Sequence, residues 1–188
     1  MGIFGGTFDP PHIGHLIAAI EVRDALQLDE VALMVANAPW QKVDEREVSS
    51  AADRLAMVEA SVQGLEGIEV DDREIRRGGL TYTADTLAEL QAEQPDVELF
   101  VIVGADAAGG FATWERHEEV AAAATLVVVD RPGRHAPLDH RYPWVRVDMP
   151  DLEISSTDLR DRLASGRSVR FLMVEQAAAY ASDRGLYR

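Results

Sequence analysis

Gly5-Gly6-Thr7-Phe8-Asp9-Pro10-Pro11-His12-Ile13-Gly14-His15 decides how this chain folds. A short apolar run, residues 1–4, precedes it, and residues 16–26 follow with apolar side chains at helical spacing. The stretch therefore reads as the turn between a first strand and a first helix. In an open α/β sheet that turn lies at the ligand crevice. Gly5 and Gly6 let the backbone approach a phosphate without a Cβ in the way, and the helix that follows offers free N–H groups and the positive end of its dipole. His12 and His15 stand three residues apart at the mouth of the helix, so both rings can project from one face toward whatever the loop holds. The glycine spacing fits neither a dinucleotide fingerprint, GxGxxG, nor a GxxxxGK[ST] phosphate loop.

Outward from this stretch, strands and helices alternate. Residues 31–36 are a continuous apolar run bounded by Asp29-Glu30 and by Asn37 to Pro39, as expected of a buried parallel strand. A helix is expected from Ser50, with Asp53 as its capping partner, to Gly64. Residues 68–70 suggest a third strand, and the polar, glycine-ended residues 73–79 a connection over the surface. Thr81-Tyr82-Thr83 opens a further helix that ends before Pro95, and a start rich in hydroxyls is either an ordinary cap or a set of outward-facing donors. Residues 99–103 form the most hydrophobic short run, the central strand. Gly104 and Asp106 follow at its carboxyl end, where Asp106 either meets a nucleoside or caps the next helix. Trp114 leads into a helical stretch to about Ala124, and residues 125–129 give another buried strand. Residues 134–143 read as a loop and residues 144–147 as a last strand. Ser155 and Asp158 have capping-box spacing, the helix they start runs to Gly166, and Ser155, Ser156, Thr157 and Arg160 converge there as a second anion site. A final amphipathic helix covers residues 174–182. This alternation implies one α/β domain, residues 1–188, built as a doubly wound, Rossmann-like parallel sheet covered on both faces. Two anion-binding helix starts suggest a ligand with several phosphates between them.

Composition narrows the function. The 188 residues carry a formal net charge of −15 and no cysteine. So acidic a surface repels nucleic acid and anionic membranes, and no basic run offsets it, so neither is expected as a partner. Disulfides, thiolate metal sites and cysteine nucleophiles are excluded. No long apolar span or basic-then-apolar leader is present, and a cytoplasmic protein is expected. The oligomeric state is left open; a homo-oligomer is compatible with the sequence. Lys42 is the only lysine. It sits just past the second strand, where it is either a phosphate-facing cation or a solvated loop residue.

The stretch Gly5–His15 resembles the signature of the nucleotidylyltransferase superfamily, in the wording of its bacterial nicotinate mononucleotide adenylyltransferase branch. The likeness extends, in the family's order, through Trp40-Gln41-Lys42, Arg54-Leu55-Ala56-Met57, Arg77-Gly78-Gly79, Thr81-Tyr82-Thr83, Asp85-Thr86-Leu87, Gly104-Ala105-Asp106, Thr113-Trp114, Arg131-Pro132-Gly133 and Ile154 to Arg160. The resemblance implies transfer of the adenylyl group of ATP to nicotinate mononucleotide, giving nicotinate adenine dinucleotide and pyrophosphate, a step of NAD synthesis. It implies that Gly5, Gly6, Thr7 and Phe8 cradle phosphates through their backbone. His12, His15, Lys42 and Arg160 would stabilise charge at the reacting phosphorus, and Ser155, Ser156 and Thr157 would line the ATP phosphate end. Gly104 and Asp106 would meet the nucleoside, and Thr83 and Trp114 the nicotinate ring. Mg²⁺ would arrive on the triphosphate, with no protein cage of its own.

Other readings stay open at this point. A sister enzyme could use nicotinamide mononucleotide, phosphopantetheine or a phosphorylated alcohol, and the fold could serve a catalytically inactive nucleotide-binding module. The histidine pair could be structural or ligate a metal, although the sequence offers no convincing third ligand. The chain also departs from the family's pattern. It begins at Met1-Gly2, so either the first strand is short or the start is placed late. Gly109-Gly110 should loosen the segment before Trp114 by about 1 kcal/mol per glycine. Val174 stands where the family commonly has proline.

Overall fold

The apolar runs assemble into one six-stranded sheet in the order β3-β2-β1-β4-β5-β6, and every neighbouring pair is parallel. The computed structural model describes residues 1–38, 48–130, 135 and 137–188. Lys42 and its flanking Trp40-Gln41, Arg131-Pro132-Gly133, and part of the expected loop at 134–143 lie outside the described residues. The strands are β1 (Gly2–Gly6), β2 (Val31–Val35), β3 (Ile68–Asp71), β4 (Phe100–Gly104), β5 (Thr125–Asp130) and β6 (Trp144–Asp148). The helices are α1 (Ile13–Leu26), α2 (Ala51–Val62), α3 (Arg73–Arg77), α4 (Thr83–Glu93), α5 (Ala105–Gly109), α6 (His117–Ala123), α7 (Ser156–Ala164) and α8 (Glu175–Asp183). The chain builds outward from β1 to β3, then returns to the other side of β1 with β4. That reversal opens a crevice between the carboxyl ends of β1 and β4.

Alternation along each strand makes the two faces of the sheet. Phe4, Leu33, Ile102 and Val127 point to one side, where Leu16, Ala19 and Val22 of α1 and Val58 of α2 cover them. Ile3, Met34, Val101 and Val128 point to the other, beneath Leu87 and Leu90 of α4 and Val120 of α6. Strands buried on both faces cannot show polar alternation, which is why they read as unbroken apolar runs. A third cluster, with Met57, Leu159, Ala177 and Ala181, packs α2, α7 and α8 together. Across that seam Asp53 accepts from Tyr180 Oη at 3.0 Å and Arg184 Nε at 3.2 Å.

The expected caps are present. The Ser50 hydroxyl accepts from the Asp53 N–H at 3.1 Å and donates to its carboxylate at 2.6 Å. Ser155 accepts from the Asp158 N–H at 3.2 Å. β1 is five residues long, like β2 and β4, so the first strand is not short. One expectation is corrected. Residues 73–77 form α3 rather than a surface connection, and both Arg73 and Glu74 are buried. The five-residue helix is too short and too charged to display a period. It is held from outside, by Asp71 and Glu93 on the Arg73 guanidinium and by Thr86 on Glu74. At Gly109 α5 ends, and residues 111–113 make a single 3₁₀ turn ahead of Trp114.

Candidate active site

Two hollows meet over the carboxyl ends of β1 and β4. The larger, about 880 Å³, is lined by Gly5 to Asp9, His12, His15, Gly104, Asp106, Ser155 to Thr157 and Arg160. The smaller, about 220 Å³, is lined by Thr81, Tyr82, Thr83, Trp114, Glu115 and Glu74. They share Gly5, Gly6, Thr7, Gly104 and Ala107 as a common wall. Among the described residues, the hollows therefore join over the glycine loop and the start of α5. The two adjacent glycines of the loop have different reasons to be glycine. A Cβ on Gly6 would meet the Phe8 ring at 2.7 Å, whereas a Cβ on Gly5, which lines both hollows, would meet nothing within 4 Å.

The loop is shaped by the rest of the chain. Phe8 turns back in a left-handed conformation (φ 49°) and buries its ring against Phe4 and His15. Arg54 of α2, 1% exposed, reaches out of the core and donates to the carbonyls of Thr7 at 2.9 Å, Asn37 at 2.8 Å and Ser49 at 3.0 Å. It thereby fixes the ends of β1 and β2 against α2. Ser156 donates to the Pro10 carbonyl at 2.8 Å and Arg160 to that of Asp9 at 2.8 Å. Tyr187, next to last in the chain, donates to the Asp9 carboxylate at 2.6 Å.

The two histidines lie face to face, ring centroids 3.6 Å apart and planes 15° from parallel. The backbone N–H of His12 donates to His15 Nδ1 at 3.1 Å. Nδ1 of a neutral His15 is therefore the acceptor, and its Nε2 carries the proton. A Cβ on Gly14 would stand 3.1 Å from His12 Nδ1, so the glycine inside His-x-Gly-His is what admits the first ring. That Nδ1 is buried with no hydrogen-bond partner among the described residues. Burial lowers the His12 pKa from 6.5 to about 4. Stacked rings cannot both carry charge cheaply, and burial makes His12 the neutral member near pH 7.

The helix starts are less alike than expected. At α1 the N–H groups of His12 and Ile13 are taken, by His15 and by the Leu172 carbonyl at 3.0 Å. At α7 the N–H groups of Ser156 and Thr157 have no partner among the described residues, and Arg160 donates to Thr157 Oγ1 at 3.0 Å. Ser156 spends its hydroxyl proton on the loop, which leaves its backbone to meet an anion. At α4 the cap position belongs to Tyr82, whose side chain makes no capping bond. The Thr81 hydroxyl instead accepts from the Asn37 N–H at 3.0 Å. Thr83 and Ala84 N–H therefore have no partner among the described residues, and the start of an 11-residue helix opens into the smaller hollow uncapped. Trp114 also lines this hollow, its ring 5.5 Å from that of Phe111, and the next residue but one, Arg116, pairs with Asp85 in the first turn of α4.

Of the residues singled out from the sequence, His12, His15, Arg160, Asp106, Phe8 and the 155–157 segment come together in the larger hollow. Thr83 and Trp114 both line the smaller one, and Gly5, Gly6, Thr7 and Gly104 line both hollows. Asp106 is not a cap, because Gly104 holds that position of α5. Sequence reasoning missed Arg54, Tyr187 and Glu74 as parts of the site. Arg54 had a visible signal: it shares the helical face of Met57, Val58 and Ser61, an unusual place for a cation. Among the described residues no three His, Asp or Glu side chains group as a metal site. No described helix is long and apolar enough to cross a membrane.

A parallel sheet reversing at β1/β4, with two hollows joined over a glycine loop at the carboxyl ends of those strands, defines a doubly wound α/β protein whose cleft lies at the topological switch point. Residues 3–162 match the cytidylyltransferase-like family model. A protein of Frankia casuarinae named "Probable nicotinate-nucleotide adenylyltransferase" is 44% identical over 187 residues, spanning 98% of both chains. One of the same name from Geobacillus thermodenitrificans is 41% identical over 187 residues, covering 100% of this chain and 85% of its own. The chain belongs to the cytidylyltransferase-like family and, within it, to the nicotinate-nucleotide adenylyltransferases. The fold is also that of Plasmodium falciparum nicotinic acid mononucleotide adenylyltransferase complexed with NaAD, with a TM-score of 0.82 at 19% identity over 99% of this chain and 96% of that one.

Proposed function

We propose that this protein transfers the adenylyl group of ATP to nicotinate mononucleotide, releasing pyrophosphate and forming nicotinate adenine dinucleotide. The observation that carries the reading is the shared wall. A triphosphate in the larger hollow and an acidic ring nucleotide in the smaller one would bring their phosphates together over the wall the hollows share, at Gly5, Gly6, Thr7, Gly104 and Ala107. An acceptor phosphate oxygen attacks the α-phosphorus there, a P–O bond forms to it, and the bond to the β-phosphate oxygen breaks. Such a reaction needs alignment and charge stabilisation rather than a protein nucleophile. Backbone N–H groups of the loop, His12, His15 and Arg160 supply the charge complement, with Lys42 as a further cation. Mg²⁺ enters as part of the substrate, MgATP, on phosphate oxygens and water. Ser155 to Thr157 receive the pyrophosphate end, and Asp106 the nucleoside. The uncapped start of α4 at Thr83 receives the ring carboxylate, with the ring against Trp114.

The test is pyrophosphate release with MgATP and, in parallel, nicotinate mononucleotide, nicotinamide mononucleotide and phosphopantetheine, with the product identified by mass. Turnover with the nicotinate substrate, abolished in a folded His15→Ala variant, is the expected result. Near-normal activity in that variant overturns the assigned roles, and silence with all three acceptors overturns the reaction.

A further inference from the structure

The smaller hollow contains a buried carboxyl group to which the reaction above assigns no part. Glu74 of α3 is 4% exposed and lines the hollow with Thr83 and Trp114. The Thr86 hydroxyl donates to Glu74 Oε1 at 2.7 Å and accepts from Arg77 Nη2 at 3.0 Å, while Arg77 pairs with Glu89 at 3.0 Å. Glu74 is thus fixed against the same first turn of α4 whose N–H groups open into the hollow. Burial pushes its pKa up, and Asp71 and Glu89 add to the rise; the Thr86 hydrogen bond and Arg77 oppose it. Glu115 is a further acidic group on the hollow's wall. A site that receives an acid would be expected to exclude a second acid, unless the second one holds a proton.

We propose that Glu74 is a specificity-determining residue of the acceptor hollow, favouring a ring acid over a ring amide by offering its carboxyl proton to the acid. This rests on the reading that the acceptor ring occupies the smaller hollow. Two carboxyl groups brought together in one site share one proton, and binding the acid then holds Glu74 in its protonated form. The proton stays on Glu74 as a hydrogen-bond donor and no bond to it breaks. Once ionised, Glu74 repels the acid and can accept from an amide N–H. Preference for the acid therefore falls as pH rises.

The test measures kcat/KM for nicotinate and nicotinamide mononucleotides with MgATP between pH 5 and 9, in the wild type, Glu74→Gln and Thr86→Val. The acid-to-amide ratio cancels every titration the two reactions share, including those of ATP, of the acceptor phosphate and of His12. It should fall about tenfold across the range in the wild type, the scale of one hydrogen bond to a charged group. It should be flat in Glu74→Gln and fall at higher pH in Thr86→Val, which lacks the bond that favours the ionised form. Calorimetry in two buffers of different ionisation heat gives a readout independent of turnover: the acid should bind with more proton uptake than the amide, and the difference should vanish in Glu74→Gln. A flat ratio in the wild type, an unchanged slope in Glu74→Gln or equal proton uptake overturns the proposal. If Glu74→Gln does not fold, the wild-type curve and Thr86→Val decide. Absence of dinucleotide with an intact uptake difference supports the role of Glu74 and faults the assigned reaction alone; failure of both acceptors to bind overturns both.

Discussion

Lowering the pH should destabilise this protein through His12, by an amount that the structure sets. Burial holds the ring's pKa at about 4 in the folded chain, against 6.5 in an exposed reference. Between those values the unfolded chain binds a proton that the folded chain does not, so stability rises with pH through the window and falls as pH drops from 6.5 to 4. At about 1.4 kcal/mol per pH unit the gap is worth roughly 3 kcal/mol when fully developed, an upper figure because the ring keeps an edge on the cleft. Below pH 4 both states are protonated and the loss is constant. The assay is urea denaturation of the wild type and His12→Gln from pH 3.5 to 8, since glutamine keeps a polar side chain but does not titrate. The wild type should lose up to about 3 kcal/mol more than the variant between pH 7 and 4. Equal pH dependence of the two proteins would refute the claim that His12 is buried in its neutral form. A triphosphate analogue should reverse the effect, because phosphate charge beside the stacked rings raises the His12 pKa and its binding takes up a proton.

Three further outcomes are expected. Gly5→Ala should fold with an unchanged melting temperature, since its methyl group meets nothing within 4 Å, yet form dinucleotide at least tenfold more slowly because residue 5 belongs to the wall the two hollows share; a steady-state assay with undiminished kcat would show that the ligands do not meet there. Tyr187→Phe keeps the ring and removes the 2.6 Å bond to Asp9. It should cost about 1–2 kcal/mol in urea denaturation and lower kcat more than it raises either KM, whereas a pure stability loss would confine the bond to folding. Val174→Pro should stabilise by about 0.4–1 kcal/mol, because Val174 caps α8 at φ −64° with no bond from its N–H among the described residues; a lower melting temperature would mean that the lost packing of the valine outweighs the entropy.

How much of this was legible beforehand depended on the range of the interaction. The strands were readable because a parallel sheet buried on both faces needs unbroken apolar runs, and residues 99–103 and 125–129 supply them. The helix starts at Ser50 and Ser155 were readable because a cap and its partner are three residues apart. By contrast α3 was not, because Arg73 and Glu74 look like surface residues until Asp71, Glu93 and Thr86 are brought to them. The start of α4 was ambiguous for a similar reason. Whether Thr81 caps the helix or leaves it open turns on Asn37, 44 residues away, which takes the hydroxyl.

The sequence by itself determined the strand-and-helix alternation, the glycine loop, the histidine pair and the serine-rich helix start, because each is encoded within a window of some ten residues. Only the tertiary structure decided what those parts do to one another. It stacks two histidines that sequence could only place on one face. It brings Arg54, Arg160 and Tyr187 to the loop's carbonyls and Asp9, over separations of 47, 151 and 178 residues. It sets a buried glutamate, Glu74, in the wall of the smaller hollow. Local patterns fix backbone conformation, but pKa values, orphaned donors and cleft walls arise from burial, and burial is a property of the folded chain.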